Sequence, residues 1–190
     1  MNPNPDASNK IRLSYSFMEE WRRGNINNAL NMYFHRNVIE PTRQMIAGKE
    51  LHEKMEAHIK EHKQFPEWVS KTIKLQDPIS EQVYIVDYNE KFLLKGVIDV
   101  TDNKVLYELK TGLADSLKYT KEYQVPIYFL LCELAGIEVD RAIIIHHNQY
   151  TGVNDVAMVW NGDRQIERAR NYIDSIGSDV LMYFESQALW

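Results

Sequence analysis

Apolar and polar positions along this chain change period several times, and each change marks an element. Between residues 47 and 63, AGKELHEKMEAHIKEHK, apolar Leu51, Met55 and Ile59 recur every four residues among good helix formers. That predicts an amphipathic helix ending before Pro66. His52 and Glu56 form a second stripe beside it, also four apart. Three runs of strand character follow: QVYIVDY at 82–88, KFLLKGVIDV at 91–100 and KVLYELK at 104–110. Asn89-Glu90 and Asp102-Asn103 supply tight turns between them, so the runs read as an antiparallel meander. Residues 114–134 are helical in pattern, with Pro126 predicting a kink or break near Gln124 and Gly136 a stop. EVDRAIIIHH at 138–147 has an unbroken apolar centre and reads as a buried strand, and DVAMVW at 155–160 as an edge strand. From Asp163 to Phe184, Ile166, Ala169, Ile173 and Ile176 share one face of a final helix. Upstream, Ser14 or Ser16 caps a short helix through Trp21, Gly24 and Asn25 break it, and a second helix runs towards Phe34.

The order helix, three strands, helix, strand, with additions at both ends, predicts one layered α/β domain on a mixed sheet over residues 11–190. The first ten residues, MNPNPDASNK, read as a disordered lead-in without the apolar stretch of a secretory signal. No apolar run approaches the ~20 residues that span a bilayer, so no membrane association and an intracellular location are expected. A length of 190 residues suits one hydrophobic core. The single Cys132, in the apolar run YFLLCELAG, excludes an internal disulfide framework and a four-thiolate zinc or iron–sulfur site from this chain alone, and reads as a packing residue. A net charge of −5 counts against a broad nucleic-acid-coating surface. It is compatible with a local basic track and with a carboxylate-rich site neutralised by a metal ion.

The chemistry concentrates in GVIDVTDNKVLYELKTG, residues 96–112. Strand alternation puts Glu108 and Lys110 on one face with Leu106, and Tyr107 and Leu109 on the other. Asp99 lies late in the preceding strand, where antiparallel pairing brings it close to Glu108. Two carboxylates are hard oxygen ligands suited to Mg²⁺ or Mn²⁺, and a lysine is a compact cation able to orient a water or stabilise a transition state. Taken alone, the three residues equally describe a solvated strand face with a cross-strand ion pair. Two further spacings add weight. GKELHEKME gives G-x-x-x-H-x-x-x-E through Gly48, His52 and Glu56, which lacks the second histidine of an H-E-x-x-H zinc site. KEYQVPIY places Gln124 and Tyr128 one helical turn apart.

In this order, the four patterns resemble the PD-(D/E)XK nuclease superfamily, most closely its RecB-like branch, which includes CRISPR-adaptation nucleases and mitochondrial single-strand exonucleases. The matching residues are Gly48, His52 and Glu56; Gly96 and Asp99; Glu108, Lys110, Thr111 and Gly112; and Gln124 with Tyr128. The resemblance implies a restriction-endonuclease-like αβββαβ core. It implies Asp99 and Glu108 as ligands of one or two Mg²⁺ or Mn²⁺ ions, joined by the backbone carbonyl of Leu109 and by His52. It implies Lys110 as the residue that positions or activates water, Gln124 and Tyr128 as groups that contact nucleic acid or brace the site, and Glu56 as support for the His52 helix. The iron–sulfur cysteines of many members are missing, so no such cluster is expected. The activity implied is hydrolysis of DNA phosphodiester bonds, with single-stranded DNA or free ends preferred. A structure-specific endonuclease in recombination or DNA processing and a non-catalytic nucleic-acid-binding module on the same fold are the alternatives. Tyr15, Phe17 and Trp21, beside Arg22 and Arg23, are candidates for a wall along a single strand, or else for packing onto the core. Lys118 and Lys121 are candidate phosphate contacts.

Overall fold

The structure, a computed structural model, describes residues 10–34 and 42–187; most of the expected lead-in lies outside them. The elements in chain order are β1 (Ile11–Ser14), α1 (Tyr15–Arg22), α2 (Ile26–Tyr33), α3 (Arg43–His62), β2 (Ile79–Asp87), β3 (Phe92–Asp102), β4 (Val105–Gly112), α4 (Ser116–Thr120), α5 (Gln124–Leu134), β5 (Arg141–Asn148), β6 (Asn154–Trp160) and α6 (Asp163–Ser186). The expected α/β mixed sheet is present, with six strands. β2 and β4 run antiparallel to β3, β5 runs parallel to β4, and β6 closes the far edge antiparallel to β5.

Sequence alone misses β1. IRLS was expected only to lead into a helix, yet it pairs in parallel with residues 92–95 of β3. Four residues are too few to announce a strand, and the parallel partner lies far along the chain. Ser14 ends this strand and caps α1, accepting from the Phe17 amide. The helix expected from residue 47 begins four residues earlier, where Thr42 accepts from the Met45 amide. It ends at Lys63 in a left-handed conformation. The turn after β3 is formed by Asn103 and Lys104, both at positive φ, one residue later than expected. Asp102 instead accepts amides of Gln76 and Asp77.

Two hydrophobic layers sandwich the sheet. One gathers Leu94, Ile98 and Leu106 with α5, α6, α1 and α2; the other gathers Val100, Tyr107 and Leu109 with Met55 and Ile59 of α3. α5 is apolar and buried from Val125 to Cys132, with Ile127, Phe129, Leu130 and Leu131 fully buried, while Glu133 stays exposed. Burial of this size stabilises by roughly 1.5–3 kcal/mol per side chain. The expected break near Pro126 is real: α4 and α5 are separate, and Pro126 is the third residue of α5. In the first turn its missing N–H costs nothing, so the helix proceeds undistorted through Tyr128. Phe17 and Trp21 are buried in the core, at 2% and 7% exposure. They are packing residues and form no wall for a strand. Arg22 and Arg23 beside them are paired with Glu19. Cys132 is buried, as expected. Among the described residues, no helix is long and apolar enough to cross a membrane.

Candidate active site

A fork in the sheet creates the site. β2 occupies one edge of β3 over residues 93–101. The other edge is shared, with β1 against residues 92–95 and β4 against residues 100–102 only. β4 leaves β3 after three pairs because it follows β5 along its whole length. Continuing the register of Val100 with Tyr107 sets Asp99 opposite Glu108, at the point where the strands part. The Leu109 amide, which would otherwise seek a carbonyl across the ladder, donates to Asp99 Oδ2 at 2.8 Å.

Helices close in from both layers, and the glycines of the sequence patterns explain how. A Cβ on Gly48 would lie 2.8 Å from Thr111 Oγ1, so only glycine lets α3 lie this close to the end of β4. A Cβ on Gly96 would lie 2.5 Å from Leu131 Cδ2 and 3.1 Å from Tyr128 Cε1, so glycine lets α5 pack against β3 with Leu131 and Tyr128 in place. The first approach delivers His52, whose Nδ1 is 3.7 Å from Asp99 Oδ1. The second delivers Gln124 and Tyr128.

Glu108 is the centre of the network. It is 3% exposed, on the α5 face beyond Leu106. Its Oε1 accepts from Lys110 Nζ at 2.7 Å and from Gln124 Nε2 at 2.8 Å. Lys110 Nζ also donates to Gln124 Oε1 at 2.5 Å, and Gln124 Nε2 lies 2.8 Å from the Tyr128 hydroxyl oxygen. Oε2 of Glu108 is buried without a hydrogen-bond partner. Burial and then the charge of Asp99 push the Glu108 carboxyl up from 4.5 to about 7, against the pull of Lys110 and His52. Burial alone would depress Lys110, but Glu108 outweighs it and holds the ammonium above its usual range. Burial likewise works against a charged His52, and Asp99 overcomes it, raising the imidazole. Tyr128 is held well above its ordinary value by burial and stays a neutral phenol.

A buried carboxylate oxygen without a donor, beside a second carboxylate and an imidazole, is the chemistry that a hard divalent cation satisfies. Among the described residues, no three His, Cys, Asp or Glu side chains already surround a common point. The donor set nevertheless fits such an ion through Glu108 Oε2, with Asp99 across the fork and His52 above it.

Of the residues singled out from sequence, His52, Asp99, Glu108, Lys110, Gln124 and Tyr128 meet in this cluster, whereas Phe17 and Trp21 lie in the core. Glu56 lies one turn below His52, paired with Lys60. It pushes up the carboxyl of Glu81, which adopts a positive φ of 50° where the β2–β3 register skips a pair between Ser80↔Val100 and Gln82↔Ile98, the gap that also holds Asp99. Sequence reasoning missed Glu81, which occupied an ordinary polar position ahead of the first strand run. It also missed His146 and Asp155, since only the register of β4, β5 and β6 sets them in line with Lys110. Two cavities flank the cluster. One, of about 480 Å³, is lined by Gln44, Lys49, His52, Thr111 and Gln149. The other, of about 240 Å³, is lined by Arg12, Ser14, Tyr15, Lys95 and Tyr128.

No family model and no curated protein matches this sequence. Solved structures do. A putative exonuclease from Eubacterium rectale aligns over 91% of this chain and 81% of its own, at 13% identity and a TM-score of 0.64. The alkaline exonuclease LHK-Exo from Laribacter hongkongensis aligns over 95% and 93%, at 12% identity and a TM-score of 0.57; its complex with dAMP gives 0.51. The protein SSO0001 aligns over 94% and 79%, at 14% identity and a TM-score of 0.55. Together with the forked sheet, these likenesses give the chain a PD-(D/E)XK nuclease-like fold.

Proposed function

We propose that this protein is a metal-dependent deoxyribonuclease that hydrolyses phosphodiester bonds, an exonuclease acting on single-stranded DNA or on DNA ends with Mg²⁺ or Mn²⁺. The observation that carries the reading is Glu108: a buried carboxylate with one oxygen braced by Lys110 and Gln124 and the other without a donor. Asp99, Glu108, the Leu109 carbonyl and His52 are the ligands we assign to one or two ions. When bound, such an ion lowers the pKa of water and neutralises charge building on the phosphate. The residues of the chain supply the rest. Lys110 has three N–H donors, and Glu108 and Gln124 hold two of them, so the ammonium is aimed before substrate arrives. A water set by Lys110 attacks phosphorus in line as the opposite P–O bond breaks, the water's proton passing to solvent and the leaving oxygen taking one from it. Gln124 and Tyr128 keep the Glu108 carboxylate from rotating away from its ligand position. Glu56 steadies the helix that presents His52.

The two flanking cavities support a strand that crosses the fork. Lys49 on one side and Arg12 and Lys95 on the other are cations suited to phosphates either side of the scissile bond. Lys118 and Lys121 lie in and after α4 as further contacts. Leu113, just after β4, and Leu117, in α4, are 70% and 63% exposed and offer apolar surface to an unstacked base. The exonuclease neighbours, one holding dAMP, favour the same substrate class.

End-labelled linear and circular single strands, incubated with the protein in Mg²⁺, Mn²⁺ or a chelator, test the reading. Shortening of the linear strand in either metal and its absence in chelator are expected, with the circle intact. Cutting of the circle would replace the exonuclease by an endonuclease, and no cleavage in either metal would leave only a binding module.

A further inference from the structure

A second network stands beside Lys110 and has no part in the reaction so far. Lys110 of β4, His146 of β5 and Asp155 of β6 are direct partners in the strand register, so they form one row across the sheet. His146 is 1% exposed. Its Nδ1 is 2.8 Å from Asp155 Oδ1, and Asp155 Oδ2 accepts the Ser116 amide at 2.6 Å at the start of α4. Burial pushes the Asp155 carboxyl up, but the hydrogen bonds from Ser116 and His146 outweigh it and hold it below its usual range. An ionised carboxylate only accepts, so Nδ1 carries the proton. In the neutral imidazole Nε2 is then a lone-pair acceptor, and it is buried with no hydrogen-bond partner among the described residues. Such an orphan is costly and rare in native folds. Tyr119 of α4 spans both groups, its ring 5.9 Å from the imidazole and 5.7 Å from Lys110 Nζ.

We propose that Asp155 and His146 are positioning residues for Lys110: Asp155 fixes the imidazole so that Nε2 is the acceptor for the third ammonium N–H, under the Tyr119 ring. Glu108 and Gln124 hold the other two, so the pair completes the ammonium's tether when Lys110 shifts to meet substrate. The proposal rests on the nuclease reading of Lys110.

Asp155→Asn separates positioning from simple packing. The amide retains both contacts by accepting from Ser116 with its oxygen and donating to Nδ1 with its nitrogen. That exchange forces the imidazole proton onto Nε2 and turns the acceptor beside Lys110 into a donor. A residue that merely caps α4 would tolerate this change. Expected for Asp155→Asn is a fall in kcat on the order of 10- to 100-fold, the range typical of groups that orient a site residue, with KM within about twofold. His146→Phe, which keeps the bulk under Tyr119, should match it, and His146→Gln should recover part of the loss. Imidazole ¹⁵N spectra give an independent readout: the proton sits on Nδ1 in the wild type and on Nε2 in Asp155→Asn. An Nε2-protonated wild type, or an Asp155→Asn variant with wild-type kcat, overturns the proposal while leaving the nuclease reading intact. A wild type that cleaves nothing in either metal overturns both. Should His146→Phe fail to fold, Asp155→Asn decides alone.

Discussion

Glu108 is a buried carboxyl held above its ordinary range, and this has a consequence for stability. Below pH 4.5 its carboxyl is protonated whether the chain is folded or not. Between 4.5 and about 7 the unfolded chain ionises it while the fold retains the proton, so its contribution to stability declines as pH rises. Glu108→Gln cannot ionise. In the absence of divalent metal, the Tm of Glu108→Gln minus that of the wild type should therefore grow across this window and level off above about pH 7. Parallel Tm curves would mean that the burial of Glu108 carries no such cost. At this scale the sequence was legible where the argument needed only alternation or helical spacing. Period two put Glu108 and Lys110 on one face, and period 3.6 put Gln124 beside Tyr128. It was illegible where the partner comes from another strand, because register is a long-range property. Glu81 in the same register gap as Asp99, and His146 between Lys110 and Asp155, become visible only once the strands are aligned.

Among the elements, α3 and α5 do most to build the site, each through one glycine contact. Gly48→Val would drive a branched side chain into Thr111 and displace α3, taking His52 away from Asp99. Loss of activity by at least tenfold is expected, with metal affinity weakened, since a shift of about 1 Å in a site residue can cost 10²-fold. Calorimetric titration of Mn²⁺ into the variant and the wild type checks this, and equal affinities would detach His52 from the metal site. The long helices and the meander were readable because their patterns are local and repeated. β1 was not, since four residues beside a helix start carry little pattern, and its pairing with β3 closes a loop of about eighty residues. The start of α3 was likewise hidden, its cap Thr42 standing beyond the last regular apolar repeat.

At the scale of the whole molecule, the proposed activity requires a chain of net charge −5 to hold a polyanion through a few local cations. Lys49, Lys95 and Arg12, set in the cavities either side of the fork, are placed for that. With about three phosphate contacts, single-strand binding should weaken with salt at a log–log slope of roughly −2. A salt-independent affinity would point to a binding surface elsewhere. The fork, where Asp99, Glu108 and Lys110 meet, lies between the two hydrophobic layers of the fold. The central claim is that this junction hydrolyses phosphodiester bonds. The most direct measurement is digestion of a labelled linear single strand by the wild type and by Lys110→Ala, side by side in Mg²⁺ and in Mn²⁺. The account predicts metal-dependent degradation by the wild type and a loss of at least 10²-fold in the variant. Equal rates for the two proteins in both metals would contradict it.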